Sequence, residues 1–306
     1  MDMYQKRKIR KEKRENSNQN EKFHKVVLNW YPGHMARAKR EIKERIKLID
    51  IIYECIDARM PSSSKLKGMD DILEVKPRIL VMTKKDLCDL DETNKWVKYY
   101  EEKGYKVILV DLTNNEDYKK LIKLTLEVAK PLQEKRVEKG LKSKEIKIGV
   151  VGIPNVGKST LINKLAGKKV SNTGNKPGVT KQVNWLKTSN GFLLLDTPGI
   201  LWPKIEDNDE ALSLASTATI KMEILNMTDI GGYLITFLKN YYKDILENKY
   251  KIEINDDPSE IFASLARKFN FFEKDGEIDY EKVSTKVYND LVSGMLKGVT
   301  FDRWKN

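Results

Sequence analysis

The stretch from Ile146 to Thr160, Ile-Lys-Ile-Gly-Val-Val-Gly-Ile-Pro-Asn-Val-Gly-Lys-Ser-Thr, limits the fold more than any other part of the chain. Its first half is an apolar run rich in β-branched residues, the pattern of a strand buried on both faces of a parallel sheet. The run leads into G-x-x-x-x-G-K-S, Gly152 to Ser159, and then into Leu161-Ile162-Asn163-Lys164-Leu165-Ala166, whose pattern is helical. Strand, glycine loop and helix in that order put an anion site at the carboxyl end of a strand. Gly152 and Gly157 let the main chain turn tightly, so that N–H groups and the helix N-terminus face one phosphate. Asn155, Val156, Gly157, Lys158, Ser159 and Thr160 are the residues expected around it. Lys158 would reach the β- and γ-phosphates, and the Ser159 hydroxyl would ligate Mg²⁺. The chemistry is that of a nucleoside triphosphate site.

Two more motifs stand at the ends of apolar strand patterns. Asp196-Thr197-Pro198-Gly199 follows Phe192-Leu193-Leu194-Leu195 and reads D-x-x-G. Asp196 would hold Mg²⁺ through a water, and the Gly199 N–H would touch the γ-phosphate. Thr180, in the Gly- and Asn-rich loop 170–182, occupies the place of a further γ-phosphate and Mg²⁺ ligand. Thr83-Lys84-Lys85-Asp86 follows Arg78-Ile79-Leu80-Val81-Met82. The Asp86 carboxylate can accept from both N1–H and the exocyclic N2–H of guanine, which adenine does not offer, and the Lys84 stem can pack over the nucleotide plane. The usual box is N-K-x-D; the Thr83 hydroxyl is a substitute expected to loosen the loop.

The strands alternate with helices, which predicts a parallel sheet with helices on both faces. Strands are expected at 49–56, 78–82, 106–110, 146–151, 183–186 and 192–195, with a turn at Ser189-Asn190-Gly191. Helices are expected at 35–49, 69–73, 91–103 and 117–139, and beyond 208 only helices, near 209–225, 228–248, 258–272 and 280–297. The expected partition is a basic arm at 1–25, an α/β domain at 26–207 and a smaller all-α domain at 208–306.

The order of the motifs is unusual. In an ordinary GTPase the phosphate loop comes first and the base-reading box last, whereas Asp86 precedes Gly152 here. A closed set of strands can be cut and rejoined at a surface loop without losing the site. With Tyr31-Pro32-Gly33-His34-Met35, Asp57-Ala58-Arg59 and Pro61, Pro177-Gly178-Val179-Thr180 and the motifs above, the chain resembles the circularly permuted GTPases, specifically the ribosome biogenesis GTPase A family, over roughly residues 26–306. The resemblance implies a permuted P-loop GTPase fold, GTP and GDP as ligands with Mg²⁺, RNA binding by the 208–306 domain, and a role in late assembly of the large (50S) ribosomal subunit through its precursor and rRNA. Asp111 and Leu112, in Asp111-Leu112-Thr113, stand where the family has a serine-containing guanine loop. Ile200 replaces the glutamine that often orients water, and the resemblance gives that task to His34; the candidate catalytic residues are thus His34, Lys158 and Thr180. Asn155 matches a position where relatives bind potassium, and a loop-stabilising hydrogen bond is its other reading.

Composition narrows the partners. Lys and Arg number 57 against 45 Asp and Glu, a net charge of +12 that suits a polyanion, although a lysine-rich solvated surface gives the same balance. Residues 1–25 carry nine Lys or Arg against four Asp or Glu and few apolar residues. The two cysteines, Cys55 and Cys88, have no ligand spacing, so neither zinc nor a disulfide framework is expected. No run approaches the roughly 18 apolar residues of a membrane span, and no signal core opens the chain. The expected setting is cytoplasmic, with a monomer off the ribosome. Two rivals remain open at this level: a GTP-gated RNA-binding module, and a signalling GTPase with no ribosomal role.

Overall fold

The computed structural model describes residues 28–29, 40, 42–44, 46–167, 184–196, 204–205, 207–220 and 226–304. His34, Thr180, Gly199, Ile200 and the basic arm lie outside them, and of Asp196 only the backbone is described.

Six strands form the central sheet: β2 (Ile51–Asp57), β3 (Arg78–Thr83), β4 (Lys106–Leu109), β5 (Ile146–Val151), β6 (Asn184–Lys187) and β7 (Phe192–Asp196). Their spatial order is β4-β3-β2-β5-β7-β6. All neighbours are parallel except β6, which pairs antiparallel with β7. The expected parallel sheet thus carries one antiparallel edge, where the expected Ser189-Asn190-Gly191 turn is too short for a crossover and permits only a hairpin. A separate pair joins β1 (Leu28–Asn29) to β8 (Lys204–Ile205), antiparallel, with Asn29 opposite Lys204.

β2 is buried at every position, which is why it reads as a continuous rather than an alternating pattern. Its one mid-strand charge, Glu54, is paired with Arg78 at 3.1 Å. Helix α1 (Asp70–Leu73) follows β2, α2 (Leu90–Glu102) follows β3 and α3 (Asn115–Glu138) follows β4. α2 is capped by Asp89 and α3 by Asn114, each accepting from N–H groups of the first turn. Tyr53 and Thr125 join the sheet to α3 through a 2.5 Å hydroxyl contact. α4 (Lys158–Ala166) follows β5.

The chain runs from β2 outward through β3 and β4, then returns to β5 beside β2, passes to the edge strand β6 and comes back to β7 beside β5. The switch point therefore lies between β2 and β5, where open α/β sheets bind ligands at the carboxyl ends of their strands. The permuted order leaves the sheet intact, because both halves start from adjacent central strands, β2 and β5.

Beyond β8 the described elements are helices: α5 (Asn208–Ser216), α6 (Met227–Tyr241), α7 (Lys243–Tyr250), α8 (Pro258–Phe269) and α9 (Tyr280–Val292). Two expected helices are shorter than their patterns. The one expected to reach 225 stops at Ser216, and Ala218 is left-handed at φ 60°. The one expected over 228–248 breaks at Tyr242, whose hydroxyl is fastened to Asp89 and Thr300. After α9 the chain returns to the sheet: Leu87 accepts from the Gly298 N–H at 2.9 Å and Arg59 from the Phe301 N–H at 2.7 Å. Among the described residues no helix is long and apolar enough to cross a membrane.

Candidate nucleotide site

The phosphate loop leaves β5 at Val151 and enters α4 at Lys158. Gly152 sits at φ +154°, and a Cβ there would lie 2.4 Å from the Cys55 carbonyl oxygen of β2. Only glycine lets the loop pass this close to the neighbouring strand end. Gly157, at φ +89°, caps α4 with no side chain and packs beside Thr83 and Leu112. Lys158 is buried, and its ammonium donates to the Ile153 carbonyl at 2.7 Å, across the loop that the first helical N–H groups face. Ser159 is half-buried at the second position of α4.

The base-reading loop lies against this cradle. The buried Thr83 hydroxyl contacts the Val156 carbonyl at 2.6 Å and the Ile56 carbonyl at 3.1 Å. The Thr83 hydroxyl thus serves as the substitute, and its short side chain ties the base loop to the phosphate loop and to β2. Lys84 is left-handed at φ 60°. Its ammonium lies 2.8 Å from Asp57, at the carboxyl end of β2. Asp86 is exposed. Lys85 donates to both oxygens of Asp117 at 3.1 Å. Asp117 also accepts from the Asp111 N–H at 3.0 Å, so one buried carboxylate spans two loops. In Asp111-Leu112-Thr113 the Asp111 carboxylate accepts from the Thr113 N–H and hydroxyl, an Asx turn that fixes the loop where a serine was expected. Leu112 lies within 3.6 Å of where a Gly157 Cβ would stand, which brings this third loop to the same end of the sheet.

Asp57 was legible as part of a motif but not as a hub. It is fully buried and accepts from Arg59 at three points, Nε at 3.1 Å, Nη2 at 2.8 Å and the backbone N–H at 3.0 Å. Burial alone would raise its carboxyl; the Arg59 and Lys84 charges outweigh that and hold it well below the usual range. Burial pushes the Lys84 ammonium down, with Asp57 working against it. Asp117 is likewise depressed: its burial is outweighed by the Asp111 N–H and Lys85. The available signal for Asp57 was a carboxylate ending an otherwise apolar buried strand two residues before an arginine. Asp117 carried no such signal, since a helix first turn favours aspartate in any protein.

Asn155 is left-handed at φ 59°, and its Nδ2 donates to the Ala218 carbonyl beyond α5. The phosphate loop is thereby attached to the helical part of the chain. Thr160 is exposed on α4, and Val156 is buried with its carbonyl on Thr83. Among the described residues no three His, Cys, Asp or Glu side chains converge on a metal position. The donors for Mg²⁺ nonetheless fit: Ser159 supplies a hard hydroxyl oxygen at the loop, and the backbone register of Val150 opposite Asp196 ends β7 beside β5.

The family model for 50S ribosome-binding GTPases matches residues 147–261. That match opens on β5 and omits β2 to β4, as a permuted chain requires. Ribosome biogenesis GTPase A of Bacillus cereus is 41% identical over 278 residues, which cover 90% of this chain and 94% of that protein. The chain belongs to the ribosome biogenesis GTPase A family. The Thermotoga maritima protein of that name is 32% identical over 90% of this chain and 94% of its own length. Among solved structures, GDP-bound YlqF superposes with a TM-score of 0.62 at 27% identity, covering 87% of this chain and all of that one. GNP-bound YlqF from T. maritima gives 0.60 at 28% identity over 87% and 98% of the two chains. As a ribosome biogenesis GTPase A family member, the protein is a GTP hydrolase of ribosome biogenesis, and the family implies a guanine nucleotide, typically with Mg²⁺, as its ligand.

Proposed function

We propose that the protein binds and hydrolyses GTP during late assembly of the large (50S) ribosomal subunit, acting on its precursor through rRNA in the cytoplasm, and is a monomer when free. The observation that carries the reading is the convergence of three loops at one switch point: Thr83 touching Val156, Asp117 spanning Lys85 and Asp111, and Leu112 beside Gly157. Loops that meet in this way are placed to hold one nucleotide across base and phosphates. Asp86 reads guanine, with Lys84 and Thr83 shaping its loop and Asp111 and Leu112 closing the far side. The N–H groups of Asn155 to Thr160 and Lys158 hold the phosphates. Ser159, Thr180 and Asp196 serve Mg²⁺, which neutralises the phosphate charge when bound. The side-chain oxygen of Asn155 is the hard donor a potassium ion takes.

His34 positions the attacking water, and Gly199 contacts the γ-phosphate. The pairing of Asn29 with Lys204 supports this assignment. Four residues lie between Asn29 and His34 and four between Gly199 and Lys204, at the same end of the antiparallel β1/β8 pair. Either segment reaches about 17 Å when extended, enough to meet the other beside the site. The segment from Asp196 leads directly into the helical part, and Asn155 is bonded to Ala218 in that part. Loss of the γ-phosphate would loosen both ties, a device for timed release from the particle.

The test is GTP turnover by the purified protein with and without large-subunit precursor particles, in potassium and in sodium buffer. Stimulation by the particles, lost in His34→Ala while GTP affinity is retained, is the expected result. Unchanged turnover with no GTP-dependent sedimentation on particles would remove the ribosomal reading and leave a GTPase with another partner.

A further inference from the structure

A cavity of about 1100 Å³ opens between α2 and α6, away from the three nucleotide loops. On one wall Trp304 meets Trp96 edge-on at 5.0 Å and Tyr99 at 5.3 Å. The other wall is backed by a second stack, with buried Phe301 at 4.9 Å from buried Phe237 and 6.3 Å from half-buried Tyr233. These rings come from three separated parts of the sequence. The last residues of the chain bring them together, because Asp302 accepts from the Ser62 and Ser63 N–H groups at 2.6 and 2.7 Å and its carbonyl accepts from Trp96 Nε1 at 2.9 Å.

Cations are interleaved with the rings. Lys103 lies 5.7 Å from the Tyr99 centroid; Arg303, 5.0 Å from that of Tyr241, is paired with Glu92 at 3.3 Å, and Lys65, 5.4 Å from that of Tyr105, with Asp70 at 3.2 Å. Acidic side chains line the cavity in equal number, four against Lys65, Lys67, Lys103 and Arg303, and most are engaged by internal donors. Asp302 holds Ser62 and Ser63, Glu210 is paired with Lys67, and Asp207 caps α5. Asp209 stands at the exposed rim.

We propose that this cavity receives unpaired bases of a single-stranded RNA segment. Aromatic faces accept any base by stacking, and Lys103 beside Tyr99 is placed to take a phosphate between bases. A protein anchor would instead favour an apolar pocket with charge kept to the rim. The chain's net charge of +12 provides the wider attraction for the polyanion. The inference rests on the reading of the protein as a pre-ribosome binder and locates one contact of that binding. Because Trp96 and Tyr99 belong to α2, which follows the base-reading loop, and Tyr233 and Phe237 to α6, the bound strand bridges the two parts of the chain.

The experiment uses the full chain and two probes, a 12-nucleotide unstructured RNA and a duplex of the same length, alongside sedimentation on large-subunit precursor particles. The single strand binds more tightly than the duplex, and Tyr99→Ala and Trp304→Ala each weaken it by about tenfold or more. Lys103→Gln, an exposed change that leaves the fold intact, lowers the salt slope by about one. GTP affinity and unstimulated turnover stay at the wild-type level in all three variants. Equal binding of strand and duplex, or variants that bind the strand as wild type does, overturns the inference. If the variants lose the particle but never discriminated strand from duplex, the occupant is a ribosomal protein and the RNA assignment fails. If the wild-type chain binds the strand yet ignores the particle, the cavity assignment stands and the pre-ribosome reading falls.

Discussion

The hydroxyl of Thr83 lies 2.6 Å from the carbonyl oxygen of Val156, and this single contact fastens the base-reading loop to the phosphate loop across 73 residues of sequence. Thr83→Val removes the donor while nearly keeping the shape, leaving the buried Val156 and Ile56 carbonyls without it. The expected loss is about 1–3 kcal/mol of stability, read by urea unfolding, together with weaker GTP binding. Thr83→Ser, which retains the hydroxyl, stays close to wild type. Equal stability of the Val and Ser variants would show that the contact contributes nothing.

Asp57 is the countercharge for Arg59 and Lys84. Asp57→Asn leaves two buried or half-buried cations facing an amide and is expected to cost about 3–5 kcal/mol. The same carboxyl has a pH signature. Its native value lies below the 3.8 of a free aspartate, so the unfolded chain binds the extra proton first. Its stabilisation is complete above that ordinary value and is lost as pH falls through it toward the depressed one. Between about pH 5 and pH 3 the stability gap between wild type and Asp57→Asn should narrow, and a gap that is constant over that range would refute the assignment.

Gly152→Ala would drive a methyl group into the Cys55 carbonyl at 2.4 Å and hold the residue at φ +154°. The strain is expected to cost about 1–3 kcal/mol. Displacement of the loop should abolish nucleotide binding even where the protein remains folded. Calorimetric titration with GDP on a variant with an intact melting transition distinguishes the two effects, and normal GDP affinity would contradict the loop geometry.

Asp86→Asn replaces an acceptor pair by one acceptor and one donor. GTP affinity should fall by about two orders of magnitude, because guanine N–H groups are left facing a donor. Xanthosine triphosphate, which carries a carbonyl where guanine has its amino group, should gain affinity in the variant. A parallel loss for both nucleotides would mean that Asp86 does not read the base.

Much of this protein was determined locally. The Ile146–Thr160 stretch specified strand, loop and helix by itself, since burial on both faces, left-handed turns and an exposed helix N-terminus each demand particular residue types over a few positions. The permuted order was equally legible, because motif order is a property of sequence alone. What the sequence could not supply was which distant groups meet. The hydroxyl at Thr83 gave no sign of its carbonyl partners, and Asp117 looked like any acidic residue in a helix first turn. Tyr242 ended a helix whose periodicity continued through it, because a tertiary bond to Asp89 outweighed local propensity. The aromatic cavity was invisible for the same reason: Trp96, Phe237 and Trp304 are far apart in the chain, and only the return of the last residues to Ser62 and Ser63 makes them neighbours. Local chemistry determined where a phosphate is held, and tertiary packing decided what holds the loops in place.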